Sequence, residues 1–405
     1  KRNLKKEIKV AQLSGYVSEH AAYHHGEMSL KGAIIGMAQE FVGSNNIALL
    51  QPNGTFGSRL EGGSDAASDR YIYTVLSPLT RYIFPEADDK ILTYLDDDGT
   101  IVEPEYYLPI IPMILINGGK GIGTGFSCEV LSYNVNQIVE YLKFKLIGKS
   151  YNNDIEPYYE GYTGDIIKID KDKTKTGKKY LFKGKYKVIS SDSIQVTELP
   201  VGLWTVPFKQ HIESLMDDKG KKKKPIIKDY KDSSTDAKID FIIKFHPGVL
   251  STLISKKVDS NYNLLERALK LVNTKSSSNM YLFDENQKLK KYNSVEDIIE
   301  KYYPVRLKGY QDRKKYILEE LENKIKLYSN KARFIKENCD GVIDLRKKKK
   351  IDVIQLLTNR NYTVLNNDKE YKYLRTMTMD SLEEENMKKL LKDTELLKQK
   401  FKIIS

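Results

Sequence analysis

Arg70 and Tyr71 are neighbours at the end of a loop, residues 57–69, that is rich in glycine, alanine and serine. A phenol has a pKa of about 10, so it attacks phosphorus at neutral pH only when a base or a nearby positive charge activates it. Small residues let the backbone of a loop approach a large ligand. This combination is typical of a tyrosine nucleophile held beside a cation for phosphoryl transfer, although a strand tyrosine is more commonly a packing residue.

Three other segments carry residue types that bind phosphates or metals. His24 and His25 are adjacent, so on a helix they would point about 100° apart and would not chelate one metal at the usual spacing; beside a phosphate they could donate hydrogen bonds or move a proton. The three aspartates at 96–98 precede Gly99, which favours a hairpin turn over a metal site. The glycine-rich residues 118–125 lack the Lys-Ser/Thr of a phosphate-binding P-loop, so close backbone packing and approach to a ligand both stay open.

The elements that carry these residues are predicted from periodicity and turn chemistry. Residues 19–42 are predicted to be helical because apolar side chains recur every three or four positions, at Leu30, Ile34, Ala38 and Phe41. The dipeptides Asn53-Gly54 and Asp98-Gly99 predict hairpins. Helices followed by short hairpins favour a winged-helix module over residues 1–130.

Residues 131–302 alternate strand-like runs with polar turns, which predicts an α/β region; the runs lie at 166–169, 186–189, 194–196 and 239–245. Four consecutive lysines at 221–224 are either a solvated loop or a contact to a phosphate backbone. In residues 303–405 two apolar stripes of heptad-like spacing predict two long helices, and residues 352–358 a small helix between them. We therefore expect a long antiparallel coiled coil with a small globular insert near 340–380.

Composition limits the class of protein. The 405 residues predict two or three domains, and the net charge of +12 favours a polyanionic partner, although a generally lysine-rich composition would also produce it. Cys128 and Cys339 form no disulfide framework or CxxC metal site, which fits a reducing intracellular compartment. The longest apolar run, 108–116, is far shorter than the ~20 residues of a membrane span. Because the chain starts without Met or a signal peptide, we expect it to be part of a longer protein.

A dense series of motifs resembles the winged-helix region of eukaryotic-type (type IIA) DNA topoisomerase II. In order along the chain these are KVAQLSG (9–15), YHHGEMSL (23–30), MAQ (37–39), FVGSNN (41–46), LQP (50–52), the Arg70-Tyr71 loop, EPEYY (103–107), PIIP (109–112), ING (116–118) and GIGTG (121–125). Shorter similarities continue at 198–205, 282–284, 289–292 and 331–335. The YHHGE form is similar to that of eukaryotes and large DNA viruses rather than to gyrase.

The resemblance implies roles at the matching positions. Tyr71 would attack a DNA phosphodiester and leave a 5′-phosphotyrosyl link, Arg70 would stabilise charge on the phosphate, and His24 and His25 would lie at the same phosphate. Ile122 would insert between base pairs and kink the duplex. Further DNA contacts are expected at Arg59, Ser64, Gln39, Asn45 and Lys120. The chain departs from the pattern twice: Ser64 stands where Lys is usual, and Asp69 where Pro or Ala is common.

For the whole protein the resemblance implies an ATP-dependent type II topoisomerase. A homodimer would cut both strands of one DNA duplex, pass a second duplex through and reseal the break, relaxing and decatenating DNA during replication. The implied fold is mixed α/β and multidomain: a winged-helix domain at 1–130 without its N-terminal part, a tower domain at 131–302, and a coiled coil with a C-gate insert at 303–405.

Mg²⁺ and ATP would be bound by TOPRIM and ATPase domains outside this chain. We therefore expect no metal site here and no full activity from this chain alone. The expected location is the nucleus, or a cytoplasmic viral factory. Two rival hypotheses are a DNA-organising scaffold that has lost cleavage, which the presence of Tyr71 and Arg70 disfavours, and a coiled-coil assembly factor, which the dense motifs of residues 9–130 disfavour.

Overall fold

The computed structural model describes residues 4–169, 177–216, 225–345, 347–365, 367–378 and 383–405. The four lysines at 221–224, interpreted above as a solvated loop or a phosphate contact, lie outside the described residues. The chain divides into two compact units: the first is Lys1–Glu86 with Leu92–Arg306, and the second is Ala87–Ile91 with Leu307–Ser405. Within the part of the chain that is described, no helix combines the length and the apolarity that crossing a membrane requires.

The first unit begins with short helices and two-stranded ribbons. Its elements are β1 (Ile8–Lys9), α1 (Val10–His20), α2 (Glu27–Ala38), β2 (Tyr73–Thr74), α3 (Thr80–Ile83), a 3-10 turn (Glu86–Asp88), β3 (Tyr94–Asp97), β4 (Thr100–Pro104), α4 (Met113–Asn117), β5 (Gly119–Gly123) and β6 (Phe126–Val130). The antiparallel pairs are β1 with β2, β3 with β4, and β5 with β6. A buried cluster that includes Val10, Ile34, Phe56 and Ile72 holds α1, α2 and β2 together.

The prediction of one helix over residues 19–42 is wrong at both ends. α1 ends at His20, and α2 begins at Glu27 after a break in which Ala22 has a left-handed φ of 47°. Position 22 is an alanine and not a glycine, so the sequence carries no signal for a left-handed residue there. Within α2 the predicted apolar face is confirmed, because Leu30, Ile34 and Ala38 are all buried.

One of the two predicted hairpins is confirmed. Asp98 and Gly99 both have positive φ and join β3 to β4, while Asp96 Oδ1 accepts a 2.7 Å hydrogen bond from the Gly99 amide. The aspartates are therefore turn residues. The Asn53-Gly54 hairpin is wrong: the Asn53 and Tyr73 backbones exchange hydrogen bonds of 3.1 and 2.9 Å, so the strand partner comes from far along the chain.

The first unit continues as an α/β region. Its elements are α5 (Val135–Leu146), β7 (Asp165–Lys168), β8 (Lys179–Lys183), β9 (Lys185–Ser190), β10 (Ser193–Glu198), α6 (Thr205–Met216), β11 (Ile227–Asp232), β12 (Phe241–Phe245), α7 (Val249–Ser255), α8 (Leu264–Ala268), β13 (Val272–Ser276), β14 (Met280–Phe283) and β15 (Leu289–Tyr292). The sheets have the orders β11-β12-β10-β9 and β13-β8-β7, with β14-β15 as a ribbon. The four predicted strand runs are confirmed in β7, β9, β10 and β12, within a few residues at their ends.

Long helices dominate the end of the chain. α9 (Val295–Cys339) spans 45 residues, and α10 (Lys350–Asn359), α11 (Lys372–Arg375) and α12 (Glu384–Ile404) follow. The first predicted heptad stripe lies entirely on α9, the second on α12, and the predicted small helix is α10. In the second unit Phe334, Val353, Leu357, Tyr362 and Leu374 form part of a separate buried cluster between these long helices in sequence. The fold is mixed α/β, as predicted.

Candidate active site

Tyr71 lies on an exposed turn that a buried strand continues. Its amide donates a 2.9 Å hydrogen bond to the Ser68 carbonyl, and its side chain is 70% exposed. The next residue, Ile72, is 1% exposed and belongs to the core under α1 and α2. Burial alternates from residue 71 to residue 74, into the strand β2, so Ile72 anchors the backbone in the core and Tyr71 faces outward. Such a phenol is accessible to a ligand as large as a duplex.

Arg70 places a positive charge beside this phenol. Its guanidinium carbon is 5.5 Å from the centre of the Tyr71 ring, and its Nε donates to Ser68 Oγ at 3.4 Å. The residue is exposed. A guanidinium at this place can donate to an oxyanion that approaches the phenol.

The start of α1 fastens the backbone on both sides of the Arg70-Tyr71 pair. The Val10 amide donates to the Ile72 carbonyl at 3.1 Å, and the Ala11 amide donates to the Asp69 carbonyl at 3.2 Å. The first amides of a helix have no partner within the helix, so these two are free to bind the loop. The turn is thus held to a rigid helix through its main chain.

The glycine-rich loop is closed by hydrogen bonds and by tight packing. Asp65 accepts from the Ser58 amide at 2.9 Å and from Ser58 Oγ at 2.5 Å. Burial by itself raises the pKa of Asp65. The hydrogen bonds that Asp65 accepts, first of all from Ser58, outweigh this effect, so the pKa of Asp65 lies below its usual value. A Cβ on Gly62, where φ is 66°, would lie 2.2 Å from Trp204 Nε1, so the loop needs glycine there.

The prediction that Arg59 contacts DNA is wrong for this structure. Arg59 is 6% exposed, and its guanidinium forms an ion pair with Glu198, which is 2% exposed. Glu198 also accepts from Thr163 Oγ1 at 3.0 Å and from the Leu199 amide at 2.9 Å. Because a buried guanidinium with such a partner cannot reach a surface ligand, Arg59 acts as an anchor of the loop.

Gln39 holds the glycine-rich loop, and Asn45 holds the end of α2. Gln39 Nε2 donates to the carbonyls of Phe56 at 2.9 Å and Gly63 at 3.3 Å. Asn45 Nδ2 donates to the carbonyls of Gly36 at 2.7 Å and Gln39 at 2.8 Å, at the end of α2. Their amide donors are used within the protein, and the direct contacts with DNA expected of both residues stay predictions.

The β5–β6 hairpin presents an apolar side chain to solvent. Ile122 is 90% exposed, and Lys120 on the same strand is also exposed. A Cβ added at Gly121, before Ile122, would meet no atom within 4 Å, whereas one at Gly123, after it, would lie 2.5 Å from the Phe126 ring. Ser64 is exposed as well, and its hydroxyl donates to the Glu61 carbonyl at 2.9 Å.

The two histidines lie in the connection between α1 and α2. His24 Nε2 is 3.5 Å from Asp97 Oδ2 on β3, and both side chains are well exposed. The His25 ring packs edge-on against Tyr23, with 5.4 Å between ring centres. The structure thus brings Tyr71 and Arg70 together, whereas His24 and His25 make these contacts with other residues.

Lys31 is a neighbour of the site that the sequence interpretation missed. Its Nζ is 2.7 Å from Glu27 Oε1 and 2.9 Å from Asp69 Oδ2. Asp69 is the residue directly before Arg70 in the chain. The spacing of four residues between Glu27 and Lys31 on a helix is a usable signal for the first contact. No local pattern announces the second contact, because Asp69 is 38 positions away.

No metal site is assembled by the residues that the structure describes: none of their His, Cys, Asp and Glu side chains form a group of three or more that could hold an ion.

Comparison with known proteins identifies relatives of the whole chain. The family model for the A-type subunit of DNA gyrase/topoisomerase IV matches residues 1–405. DNA topoisomerase 2 of Pisum sativum is 45% identical over 305 residues, which are 75% of this chain and 20% of that protein. DNA topoisomerase 2-alpha of Rattus norvegicus is 40% identical over 362 residues, which are 89% of this chain and 23% of that protein.

A solved structure agrees with these relatives. The crystal structure of the Plasmodium falciparum topoisomerase II DNA-binding, cleavage and re-ligation domain has a TM-score of 0.87 and 38% identity, and the match covers 100% of this chain and 56% of that one. The chain spans about a fifth of the length of the curated relatives, at 20% of the Pisum sativum protein.

Proposed function

The chain belongs to the family of A-type subunits of DNA gyrase/topoisomerase IV, and from this premise we propose that it is the DNA-gate core of an ATP-dependent type II DNA topoisomerase. The observation that carries the proposal is the outward-facing Tyr71 on a fixed turn, with the guanidinium of Arg70 beside its ring. They are a nucleophile and a charge-stabilising donor for a tyrosine transesterification of DNA.

In the proposed reaction Tyr71 Oη attacks a backbone phosphorus. The new O–P bond forms as the bond from phosphorus to the 3′ oxygen breaks, so the DNA is left with a 5′-phosphotyrosyl end and a 3′-hydroxyl. The phenolic proton passes to a base, and the departing oxygen takes up a proton. Because the phosphodiester is exchanged and not hydrolysed, the reverse reaction reseals the strand without ATP.

The surrounding residues divide into two proposed groups. Arg70 donates to the charged phosphate, and His24 and His25 hydrogen-bond the same phosphate or take up the phenolic proton of Tyr71. The remaining exposed residues contact the duplex: Ile122 as a wedge between base pairs, and Lys120 and Ser64 at its backbone. The loss of a cation at Ser64 weakens phosphate contact modestly.

The domain assignment is part of the proposal. Residues 1–130 form the winged-helix cleavage domain, 131–302 the tower, and 303–405 a coiled coil with a C-gate insert near 340–380 that holds two copies of the chain together. A 2.9 Å hydrogen bond from Lys314 Nζ to the carbonyl of Ser405 supports antiparallel pairing of α9 and α12. The separate buried cluster of the second unit supports the insert.

Mg²⁺ and ATP are proposed to bind to domains outside this chain, where they would serve cleavage and strand passage. A homodimer would pass one duplex through a double-strand break in another, and so relax and decatenate DNA during replication. We propose a nuclear location, or a cytoplasmic viral factory for a viral protein.

The test is a cleavage assay on the full-length protein. Supercoiled plasmid is incubated with the protein and Mg²⁺, the reaction is stopped with detergent, and protein-linked DNA is quantified. The wild type should yield linear DNA with protein on its 5′ ends. Tyr71→Phe should yield none and still bind DNA in a mobility-shift assay. Equal covalent yield from both proteins, or no covalent DNA from the wild type, would refute the proposal; the second result would favour a DNA-organising scaffold.

A further inference from the structure

Lys31 and Asp69 form an ion pair next to the turn that carries Arg70 and Tyr71. The Lys31 side chain is 15% exposed and that of Asp69 is 19% exposed, with 2.9 Å between Nζ and Oδ2. The other partner of Lys31, Glu27, is 68% exposed. Shielded pairs are screened less by salt than exposed ones, so the contact with Asp69 is the more persistent of the two electrostatically.

Asp69 is connected in turn to Arg70. Ser68 Oγ donates to Asp69 Oδ1 at 3.3 Å, and Arg70 Nε donates to Ser68 Oγ at 3.4 Å. A continuous series of contacts therefore leads from α2 through Lys31, the Asp69 carboxylate and the Ser68 hydroxyl to the guanidinium. Movement of the carboxylate would displace the hydroxyl that orients Arg70.

A carboxylate at this position places a negative charge near a DNA-cleaving site. Asp69 and Tyr71 are two positions apart, so their Cα atoms lie within about 7.6 Å of each other, and a phosphate joined to the Tyr71 phenol would lie on the order of 10–15 Å from Asp69. Charges separated by about a Debye length or more, roughly 10 Å at 0.1 M salt, are strongly screened, so an unpaired carboxylate would repel the phosphate weakly and would act mainly through its contacts with the turn.

We propose that Lys31 is a positioning residue of the cleavage site, which neutralises Asp69 and keeps the Arg70–Tyr71 turn in place. The inference deepens the proposed function and rests on it. Asp69 is one of the two departures from the pattern that the chain resembles, and Lys31 supplies the charge that makes this departure compatible with an anionic ligand.

The ion pair is present at every pH suited to an assay. The hydrogen bond from Lys31 holds the pKa of Asp69 below its ordinary 3.8, so the pair contributes above that value and is lost only as the pH falls through the lowered one. Hydrogen bonds to Glu27 and then Asp69 raise the pKa of Lys31 above its ordinary 10.5, so the pair is lost at the alkaline end only above that value. Assays of the wild type between these two values therefore measure the protein with the pair intact.

The experiment compares variants of the full-length protein at saturating DNA. The rate of covalent complex formation is measured by detergent trapping, and the melting temperature is measured in parallel. Lys31→Met should lower this rate about two- to threefold, because it leaves an unpaired carboxylate beside the turn and the phosphate. Adding Asp69→Asn to Lys31→Met should restore most of the rate, and Lys31→Arg, which keeps the charge, should stay close to the wild type.

Lys388→Met is the matched control, because it removes one lysine charge and an i,i+4 pair with Glu384 at 2.8 Å in the second unit. It should not change the rate. A double variant as slow as Lys31→Met, or a slow Lys31→Arg with an unchanged melting temperature, would overturn the inference. If Lys31→Met does not fold, the comparison of Lys31→Arg with the double variant decides. Failure of the proposed function looks different, because then the wild type itself forms no Tyr71-dependent complex.

Discussion

In the proposed reaction, the reactivity of Tyr71 depends on how the neighbouring cation binds the phosphate. Arg70 lies 5.5 Å from the Tyr71 ring and is oriented through Ser68. A guanidinium is planar and can donate two parallel hydrogen bonds to two oxygens of one phosphate, whereas an ammonium is a compact point charge. The geometry of the donor, and not only its charge, should therefore matter in the transition state.

Arg70→Lys tests this distinction. The variant keeps the positive charge and loses the paired donors, so we expect covalent complex formation to slow roughly 100-fold, as for removal of one donor to a developing oxyanion. Single-turnover cleavage of a short duplex measures the rate, and anisotropy of a labelled duplex measures binding, which should change little. A rate close to that of the wild type would mean that charge alone is sufficient.

The glycine-rich loop, residues 57–69, connects Arg70 and Tyr71 to the core of the first unit, and several contacts hold this loop in place. Gln39 holds the loop through backbone carbonyls, Trp204 packs against Gly62, and the buried Arg59–Glu198 ion pair joins the loop to the end of β10. The last contact is the most sensitive to change, because removing one member of a buried pair leaves the other charge without compensation.

Glu198→Ala should therefore destabilise the first unit strongly, by about 3–5 kcal/mol of unfolding free energy. Urea denaturation followed by tryptophan fluorescence is a suitable measurement, because the single tryptophan of the chain, Trp204, lies against the same loop. Glu213→Ala is the matched control, since it removes an exposed glutamate that accepts from Tyr230 at 2.6 Å. Similar midpoints for both variants would show that the ion pair does not stabilise the loop.

Local patterns in the sequence predicted the elements that local chemistry determines. The Asp98-Gly99 turn supplies two residues with positive φ, and the heptad stripe of α9 is periodic over many turns. The interruption between α1 and α2 was missed because Ala22 takes up a left-handed conformation without being glycine. The Asn53-Gly54 turn was misassigned because its backbone pairs with Tyr73, beyond a long loop.

The candidate site likewise contains residues that the sequence identified and residues whose contacts only the structure shows. The resemblance pointed to Arg70 and Tyr71 and to the exposed Ile122, but it carried Arg59, Gln39 and Asn45 over as DNA contacts. Arg59 and Gln39 are held by partners distant in sequence, whereas Asn45 binds carbonyls that are nine and six positions away. Glu198 is 139 positions from Arg59, and Asp69 is likewise far from Lys31, so neither ion pair could be inferred from spacing.

The chain as a whole carries a net charge of +12. For a DNA-binding protein this surplus acts through counterion release, since each phosphate that a lysine or arginine neutralises frees condensed cations. The affinity should then fall steeply with salt, and the slope should count phosphate contacts. Buried cations such as Arg59 do not contribute to that count, whereas exposed ones such as Lys120 are available for it.

Lys120→Ala tests this at the hairpin that also carries Ile122. Binding of a duplex is measured over a range of salt concentrations in a Tyr71→Phe background of the full-length protein, so that no covalent complex forms. Loss of one phosphate contact should reduce the slope of log affinity against log salt by about one. Lys324→Ala provides the control, because Lys324 is paired with Glu320 at 2.6 Å on α9 and lies outside the proposed DNA surface. Equal slopes for the wild type and Lys120→Ala would place the duplex away from the β5–β6 hairpin, and with it the proposed wedge role of Ile122 would be lost.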